Sequence, residues 1–132
     1  MVIAIIGILA AIVLVNVNSA RNKAKDAGIR GNLASLGVGG EMFWGIGNTY
    51  TDVCTTSATF TGAAIAISNV AIGSVMYCNG DATAWVACAV LKKDSANAWC
   101  TDSTVAKVLV GASKCDAAAD LTGKTSCAAV AI

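Results

Sequence analysis

The chain has 132 residues, of which 56% are hydrophobic, and its formal net charge is +1. The length corresponds to one modest domain, and the low net charge gives no general attraction to nucleic acid or to an acidic partner. It contains no His, which removes the commonest general base, metal ligand and pH switch. No activated nucleophile or triad pattern is evident either. We therefore expect a protein that is not an enzyme and that uses no cofactor and no metal.

The first fifteen residues, Met1–Val15, are apolar all round a helix, with eleven large aliphatic or Met side chains and no polar one. Such a helix must be buried on every side, in a membrane or among other chains. Since burial of one large aliphatic side chain contributes about 1.5–3 kcal/mol, the stretch carries about 15–30 kcal/mol as an upper bound. At about 1.5 Å per residue it reaches roughly 22 Å, which is short of a complete bilayer span.

The next segment has helical periodicity with a single apolar face. Small side chains recur at steps of three or four within Ala20–Val38, beside a row of larger apolar residues within Ile29–Phe43. The chain has no Pro, so nothing separates this segment from the first. We predict one continuous helix from Met1 to about Trp44, about 65 Å long, part of which must protrude from a domain of this size.

The remainder predicts a small antiparallel sheet. Asn79-Gly80-Asp81 is a turn signal, and strands are expected at Ala82–Leu91, Ala98–Ser103 and Val105–Val110. The segment 64–75 fits a short helix or a strand equally well. The predicted fold class is α+β: a long N-terminal helix packed by its second half on a small antiparallel sheet stapled by disulfides.

The chain accordingly divides into an apolar half-helix, residues 1–22, and a globular head, residues 23–132. Within the head we assign an amphipathic half-helix to 23–46, a loop to 47–77, the sheet to 78–110 and a C-terminal loop to 111–132.

Six cysteines follow the apolar half-helix without any C-x-x-C pair: Cys54, Cys78, Cys88, Cys100, Cys115 and Cys127. An even number in a small domain indicates disulfides and an exported location, whereas structural zinc sites usually have closer pairs and often His. Cys88 and Cys100 are equidistant from Asp94, so they would face each other across a hairpin. We expect the bridges Cys88–Cys100, Cys115–Cys127 and Cys54–Cys78, although the sequence alone permits others.

Three other groups of residues could suggest a ligand site, but we expect each of them to have a structural role. Gly37-Val-Gly-Gly40 indicates close packing or a helix end and not a phosphate loop. Trp85 and Trp99 are expected to be packed in the sheet and not to form a ligand platform. The aspartates of the second half lack EF-hand spacing, so we expect solvated turn carboxylates and not a calcium loop; they are Asp81, Asp94, Asp102, Asp116 and Asp120.

The N-terminal residues carry a family resemblance. Val2-Ile-Ala-Ile-Ile-Gly-Ile-Leu-Ala-Ala-Ile12 is similar to the N-terminal helix of type IV pilins and of the related type II secretion pseudopilins, and Asn18–Ala27 resembles the stretch that follows it. Pilin precursors begin with a basic leader, a Gly and a Glu-containing start, so we expect the natural chain to begin upstream of Met1. Pilins often have a Pro in the apolar helix; without it, Gly7, Asn16 and Asn18 are the candidates for local unwinding.

The resemblance implies a major pilin, a structural subunit that waits in the cytoplasmic membrane, meets the pilus assembly machinery and polymerises with copies of itself into an extracellular helical filament for adhesion, motility or uptake. Arg21, Lys23, Lys25 and Arg30 would be a solvated face or would make ion pairs with neighbouring subunits. The expected filament core is Ile3, Ile5, Ile6, Ile8, Leu9, Ile12, Val13 and Leu14.

Two alternatives remain open at this point. One is a type II secretion pseudopilin, which forms short pistons. The other is a membrane-anchored adhesin or DNA-binding surface module; binding of DNA or of a host surface has no specific support in the sequence.

Overall fold

The computed structural model describes residues 2–115, 121 and 123–131. Helix α1, Val2–Gly47, is continuous, as the absence of Pro predicts, and its 46 residues extend about 69 Å. Every described side chain from Val2 to Arg21 is exposed, whereas a buried row begins at Asp26. The helix ends where Asn48 takes a left-handed conformation, with φ of 52°, and its N–H bonds the Trp44 carbonyl at 2.7 Å.

Two short helices follow α1 in the segment assigned to a loop. Helix α2 covers Val53–Thr56 and α3 covers Ala58–Val70. The segment 64–75, which fitted a helix or a strand equally well, is therefore mostly helical. Helix α3 buries Phe60, Ala63 and Ile67 against the head. This apolar face is short and lies among Thr, Gly and β-branched residues, so its helical period is weak in the sequence.

The sheet has four antiparallel strands in sequence order: β1 (Met76–Gly80), β2 (Trp85–Val90), β3 (Asn97–Asp102) and β4 (Lys107–Gly111). The three predicted strands are present, and β1 is an additional one. The predicted turn at Asn79-Gly80-Asp81 was placed too early, because Asn79 and Gly80 still pair with β2. The chain reverses at Asp81–Ala84, where the Asp81 carboxylate accepts both the Thr83 and Ala84 backbone N–H groups.

The sheet separates two apolar cores, so β2 is buried on both faces. Trp85, Ala87 and Ala89 face α1 and α3, while Val86 and Cys88 face the C-terminal segment. The first core is completed mainly by Ile29, Leu33, Leu36, Phe60, Ile67 and Leu91.

The C-terminal segment, assigned to a loop, contains a 3-10 turn at Ala112–Lys114 and a short helix, α4, at Cys127–Ala131. Leu121 and Val130 from this segment are buried in the second core. Residues 116–120, 122 and 132 of the predicted loop lie outside the described residues.

Three disulfides staple the head, but only one of the expected pairings is correct. Cys54–Cys78 joins α2 to β1, as predicted. The Cys88–Cys100 and Cys115–Cys127 pairings are wrong: the bridges are Cys88–Cys115 and Cys100–Cys127.

The physical reason lies in the sheet. Cys88 and Cys100 do face each other across β2 and β3, as expected. They form a non-hydrogen-bonded pair, for which the Cα separation of about 4.5 Å is at the short limit for a disulfide. Both side chains point into the second core, where the C-terminal segment brings Cys115 and Cys127 to Cα separations of 6.1 and 5.8 Å.

Candidate functional site

The apolar half-helix is the largest unburied apolar surface of the chain. Its predicted core residues, Ile3 to Leu14, are 56–87% exposed and point to all sides of α1. No residue in the described part of the head covers them. The chain alone therefore leaves this surface without the burial that its composition requires.

By length and composition, α1 is the one helix in the described part of the chain able to cross a membrane. The qualifying window has 18 residues, none of them buried, whereas the core helix of a soluble domain would be covered. The fifteen-residue stretch alone is too short, but Asn16, Val17 and Asn18 continue the uncharged segment, and the first charge is Arg21. A membrane anchor and a signal segment share these properties.

The predicted unwinding positions lie within regular helix. Gly7, Asn16 and Asn18 belong to the unbroken α1 of the isolated chain. A Cβ added at Gly7 would meet no other atom within 4 Å, so close packing within this chain does not require Gly there. Local unwinding therefore remains a prediction for an assembled state.

A group of cations surrounds the point where α1 enters the head. The four predicted cations of α1 are joined there by Lys92 and Lys93 from the β2–β3 turn. The link is Asp26, which is 8% exposed: its carboxylate accepts the Lys92 N–H at 2.6 Å and the Lys93 N–H at 3.2 Å. We call this group the basic collar; it consists of Arg21, Lys23, Lys25, Arg30, Lys92 and Lys93.

The collar contains a shallow cleft of about 240 Å³ between α1 and the turn, lined by Lys23, Asp26, Ala27, Arg30 and Lys93. The Arg30 guanidinium lies 4.5 Å from the ring centroid of Trp99, an attractive cation–π arrangement. Among the residues that the structure describes, no carboxylate forms an ion pair with a collar side chain. Within the described part of the head, the collar side chains therefore keep their positive charge without an ion-pair partner.

The lysines of the β2–β3 turn were not predicted as part of a site. The only sequence signal is the Lys92-Lys93-Asp94 run itself, which is typical of any solvated turn. Asp26 is the only acid within the basic run from Arg21 to Arg30, and that run does not indicate a partner for it. Its hydrogen bonds to a turn 66 and 67 residues away are tertiary contacts that no local pattern indicates.

The two tryptophans of the sheet are packed, as expected. Trp85 is fully buried and meets Phe60 edge-on, with ring centroids 4.9 Å apart. Its Nε1 has no hydrogen-bond partner among the described residues. Gly39 and Gly40 allow the close approach of Thr59 and Trp85 to α1, which confirms close packing for the glycine run.

Of the described aspartates of the second half, Asp81 and Asp94 are exposed turn carboxylates, as expected, whereas Asp102 is buried and not solvated. Asp81 accepts three hydrogen bonds from Thr83 and Ala84, and these lower the pKa of its carboxyl below the ordinary value. Asp102 is buried and accepts N–H groups from Thr104, Ala106 and Cys127, so it organises the β3–β4 turn and the start of α4. Asp94 accepts a hydrogen bond from Asn97.

The remaining candidate aspartates, Asp116 and Asp120, lie outside the described residues. In the described part of the chain, no group of three His, Cys, Asp or Glu side chains is arranged to hold a metal ion. One further titratable pair lies near the end of α1: the Tyr50 hydroxyl donates to Glu41 at 3.1 Å, and burial together with this carboxylate raises the pKa of Tyr50.

The fold and its two surfaces define a class: a disulfide-bonded α+β head on a long N-terminal helix whose apolar half is unburied, a shape compatible with a pilin-like fold. No protein-family model, curated protein or solved structure matches the chain.

Proposed function

We propose that the chain is a structural subunit, a major pilin, that polymerises through its N-terminal helix into an extracellular filament of the type IV pilus kind. The observation that supports this proposal is the complete exposure of the apolar half-helix on a head that is otherwise well packed. Because this surface is apolar on every side, a single partner groove would leave much of it in water. A lipid bilayer or a bundle of identical helices covers all sides.

The apolar half-helix occupies these two environments one after the other. The apolar half-helix first lies in the cytoplasmic membrane, with the head on the outer side where the cysteines oxidise. The assembly machinery then transfers it into a bundle of the same helices. Most of the apolar surface is buried in the membrane before the transfer and in the helix bundle after it. The transfer therefore does not require that this surface stays exposed to water.

Assembly of this kind is head-to-tail and open. Each subunit uses one part of α1 to contact a different part of the next, a heterologous interface that does not close and gives a helical fibre. The head end of α1 offers further exposed apolar side chains to neighbours, Val38, Met42 and Ile46. The exposed cations Arg21, Lys23 and Arg30, together with the half-buried Lys25, are available for ion pairs between subunits.

Substitution of Ile6 or Leu9 by Asp tests the proposal. A carboxylate at the centre of an apolar helix costs about 2.5–3.5 kcal/mol, in addition to about 1.5–3 kcal/mol of lost burial. We expect Ile6→Asp and Leu9→Asp to abolish filaments in electron micrographs while the head still forms its three disulfides. The matched control is Ile72→Asp, at a position 84% exposed on the head.

The outcomes separate the candidate functions. Normal filaments from either variant would refute the role of the apolar half-helix. Short cell-bound pistons from the parent chain would favour a secretion pseudopilin. A parent chain that forms no filament with its assembly machinery and sediments as a monomer in detergent would instead favour a membrane-anchored adhesin or DNA-binding module, for which α1 is also long enough.

A further inference from the structure

We propose that the basic collar is a docking surface for the anionic phospholipid headgroups of the membrane in which the apolar half-helix is inserted. The inference rests on the membrane-inserted stage of the proposed function and not on the filament. It assigns the collar a role before assembly, namely to hold the head upright on the bilayer.

The distances along α1 place the collar at the membrane surface. Val2–Ala20 carries no charge and extends about 28 Å, close to the roughly 30 Å of the hydrocarbon layer. When this segment spans the bilayer, Arg21, Lys23 and Lys25 lie in the headgroup layer. Arg30 follows about 14 Å from Arg21 along the helix axis, which is beyond the Debye length of about 10 Å, so salt screens much of its attraction to the headgroup layer.

The tertiary fold adds to this charge at the same level. Asp26 holds the backbone of Lys92 and Lys93 against α1, so the turn lies beside the headgroup layer and not at a distance from it. Its carboxylate is occupied by these N–H groups and is nearly buried. Six of the nine basic residues of the chain thus belong to the collar. The two segments that carry them, residues 21–30 of α1 and the β2–β3 turn, contain only two acids, Asp26 and Asp94.

The opposite end of the head lacks the positive excess of the collar. The strand register places the β2–β3 turn at one end of the sheet and the β1–β2 turn with Asp81 at the other. Asp52 lines a cleft beside Gly80 at that far end, and Glu41 lies about 22 Å along α1 from Asp26. Lys107 and Lys124 also lie at this end, so the three exposed carboxylates leave it without the positive excess of the collar, and the charge distribution favours the orientation with the collar toward an anionic surface.

The cleft between α1 and the turn is suited to a phosphate group. It is open to solvent, and Lys23, Arg30 and Lys93 line it together with Asp26, whose carboxylate accepts the Lys92 and Lys93 backbone N–H groups. Stacking on Trp99 restrains Arg30 at the cleft, which reduces the entropy lost when its N–H groups bind an anion. Phosphate diesters of lipid headgroups have the charge and the hydrogen-bond acceptors that such a set of donors recognises.

The test measures lipid binding by the full chain in non-ionic detergent, by native mass spectrometry with phosphatidylglycerol or with phosphatidylcholine of identical acyl chains. We expect phosphatidylglycerol to bind more tightly, and the difference to shrink as salt is raised. Since each lysine near an anionic membrane surface contributes about a fivefold factor in affinity, Lys23→Gln/Lys93→Gln should weaken phosphatidylglycerol binding about 25-fold. Phosphatidylcholine binding should be unchanged.

The control variant is Lys107→Gln/Lys124→Gln, which removes the same charge at the far end of the sheet. Lys107 lies opposite Thr101 in the strand register, and the Lys124 backbone carbonyl accepts a hydrogen bond from the Asn79 side chain. Equal affinity for the two lipids, or equal losses in the two double variants, would overturn the proposal. An effect of Lys23→Gln/Lys93→Gln on filament assembly alone would assign the collar to contacts between subunits instead. Because lipid binding is measured without assembly, its failure is distinguishable from that of the filament proposal.

Discussion

Gly40 of α1 lies against the indole of Trp85 in β2: a Cβ added at Gly40 would stand 2.5 Å from Nε1 and 2.9 Å from Cε2. Both residues are buried, and Trp85 also contacts Phe60 of α3. The contact therefore joins the helix, the sheet and α3 at one point. It fixes how closely the second half of α1 approaches the sheet.

Gly40→Ala is expected to destabilise the head. Overpacking of a core typically costs about 1–3 kcal/mol, against a gain of about 1 kcal/mol in helix propensity, so we expect a net loss of up to about 2 kcal/mol in the free energy of unfolding. The matched control is Gly31→Ala, on the same helix, where an added Cβ meets nothing within 4 Å and stability should rise slightly. Denaturant unfolding of the two variants in the same detergent checks this; equal effects would contradict it.

Asp26 is expected to be essential for the position of the β2–β3 turn. Hydrogen bonds to a charged group contribute about 1.5–3 kcal/mol, so we expect Asp26→Ala to lower the free energy of unfolding by about 3 kcal/mol and Asp26→Asn by less. Amide hydrogen exchange at Lys92 and Lys93 should accelerate in Asp26→Ala. Asp94→Ala, at an exposed position, is the control and should leave both amides protected; unchanged protection in Asp26→Ala would rule out the link.

The disulfide pairing can be read from a tryptic digest without reduction. Cleavage at Lys92, Lys93, Lys107, Lys114 and Lys124 places Cys88, Cys100, Cys115 and Cys127 on four different peptides. The structure predicts that the Cys88 peptide is linked to 115–124 and that 94–107 is linked to 125–132. A mass matching 94–107 joined to the Cys88 peptide would instead support a direct bridge across the hairpin.

Removal of one of these bridges has a predictable cost. Cys88→Ser/Cys115→Ser opens a bridge with a sequence separation of 27, for which the chain-entropy estimate is about 3–4 kcal/mol. The variant should retain no reactive thiol after unfolding, because Cys54–Cys78 and Cys100–Cys127 stay intact. Thiol titration in denaturant measures this, and a reactive thiol in the unfolded variant would show that Cys88 and Cys115 are not partners.

Asp81 is expected to stabilise the β1–β2 turn only when it is ionised. Its pKa is lowered by the Thr83 and Ala84 N–H groups and by the Thr83 hydroxyl. A lowered folded-state pKa stabilises the fold above the unfolded value of about 3.8, and this stabilisation is lost as pH falls through the folded-state pKa. Asp81→Asn should therefore lower stability at neutral pH and approach the parent chain in acid.

The hydroxyl contribution can be isolated at Asp81. Thr83→Val removes one donor and keeps both backbone N–H groups, so the pKa of Asp81, followed by NMR, should rise part of the way toward its ordinary value. An unchanged pKa in Thr83→Val would show that the backbone donors alone are responsible.

The sequence predicts those parts of the fold that have a strong local pattern. The absence of Pro and the change of periodicity after Val15 predict α1 almost to its end, and the hairpin around Asp94 predicts β2 and β3. Strand β1 was missed because its closing turn depends on the Asp81 side chain, and an Asn-Gly pair is usually a turn in its own right. Helix α3 was ambiguous because its apolar face is short.

The collar and the disulfides depend on tertiary structure. The pattern identifies Arg21 to Arg30 as cations, but only the fold brings Lys93 beside them. Likewise, Cys88 and Cys100 are opposite each other as the hairpin predicts, yet each pairs with a cysteine from the C-terminal segment, because that segment packs on the same face of the sheet. Local spacing cannot decide between partners that the packing of a distant segment brings equally near.

The Cys54–Cys78 bridge determines how the chain responds to tension. In the proposed filament, a load would enter each subunit through α1 and reach the sheet along the chain. The bridge closes a loop with a sequence separation of 24, which holds α2 and α3, so about 80 Å of extensible chain is kept out of the force path. If α1 is pulled from the sheet, only the short connection from Asn48 to Val53 extends before the load passes covalently to β1.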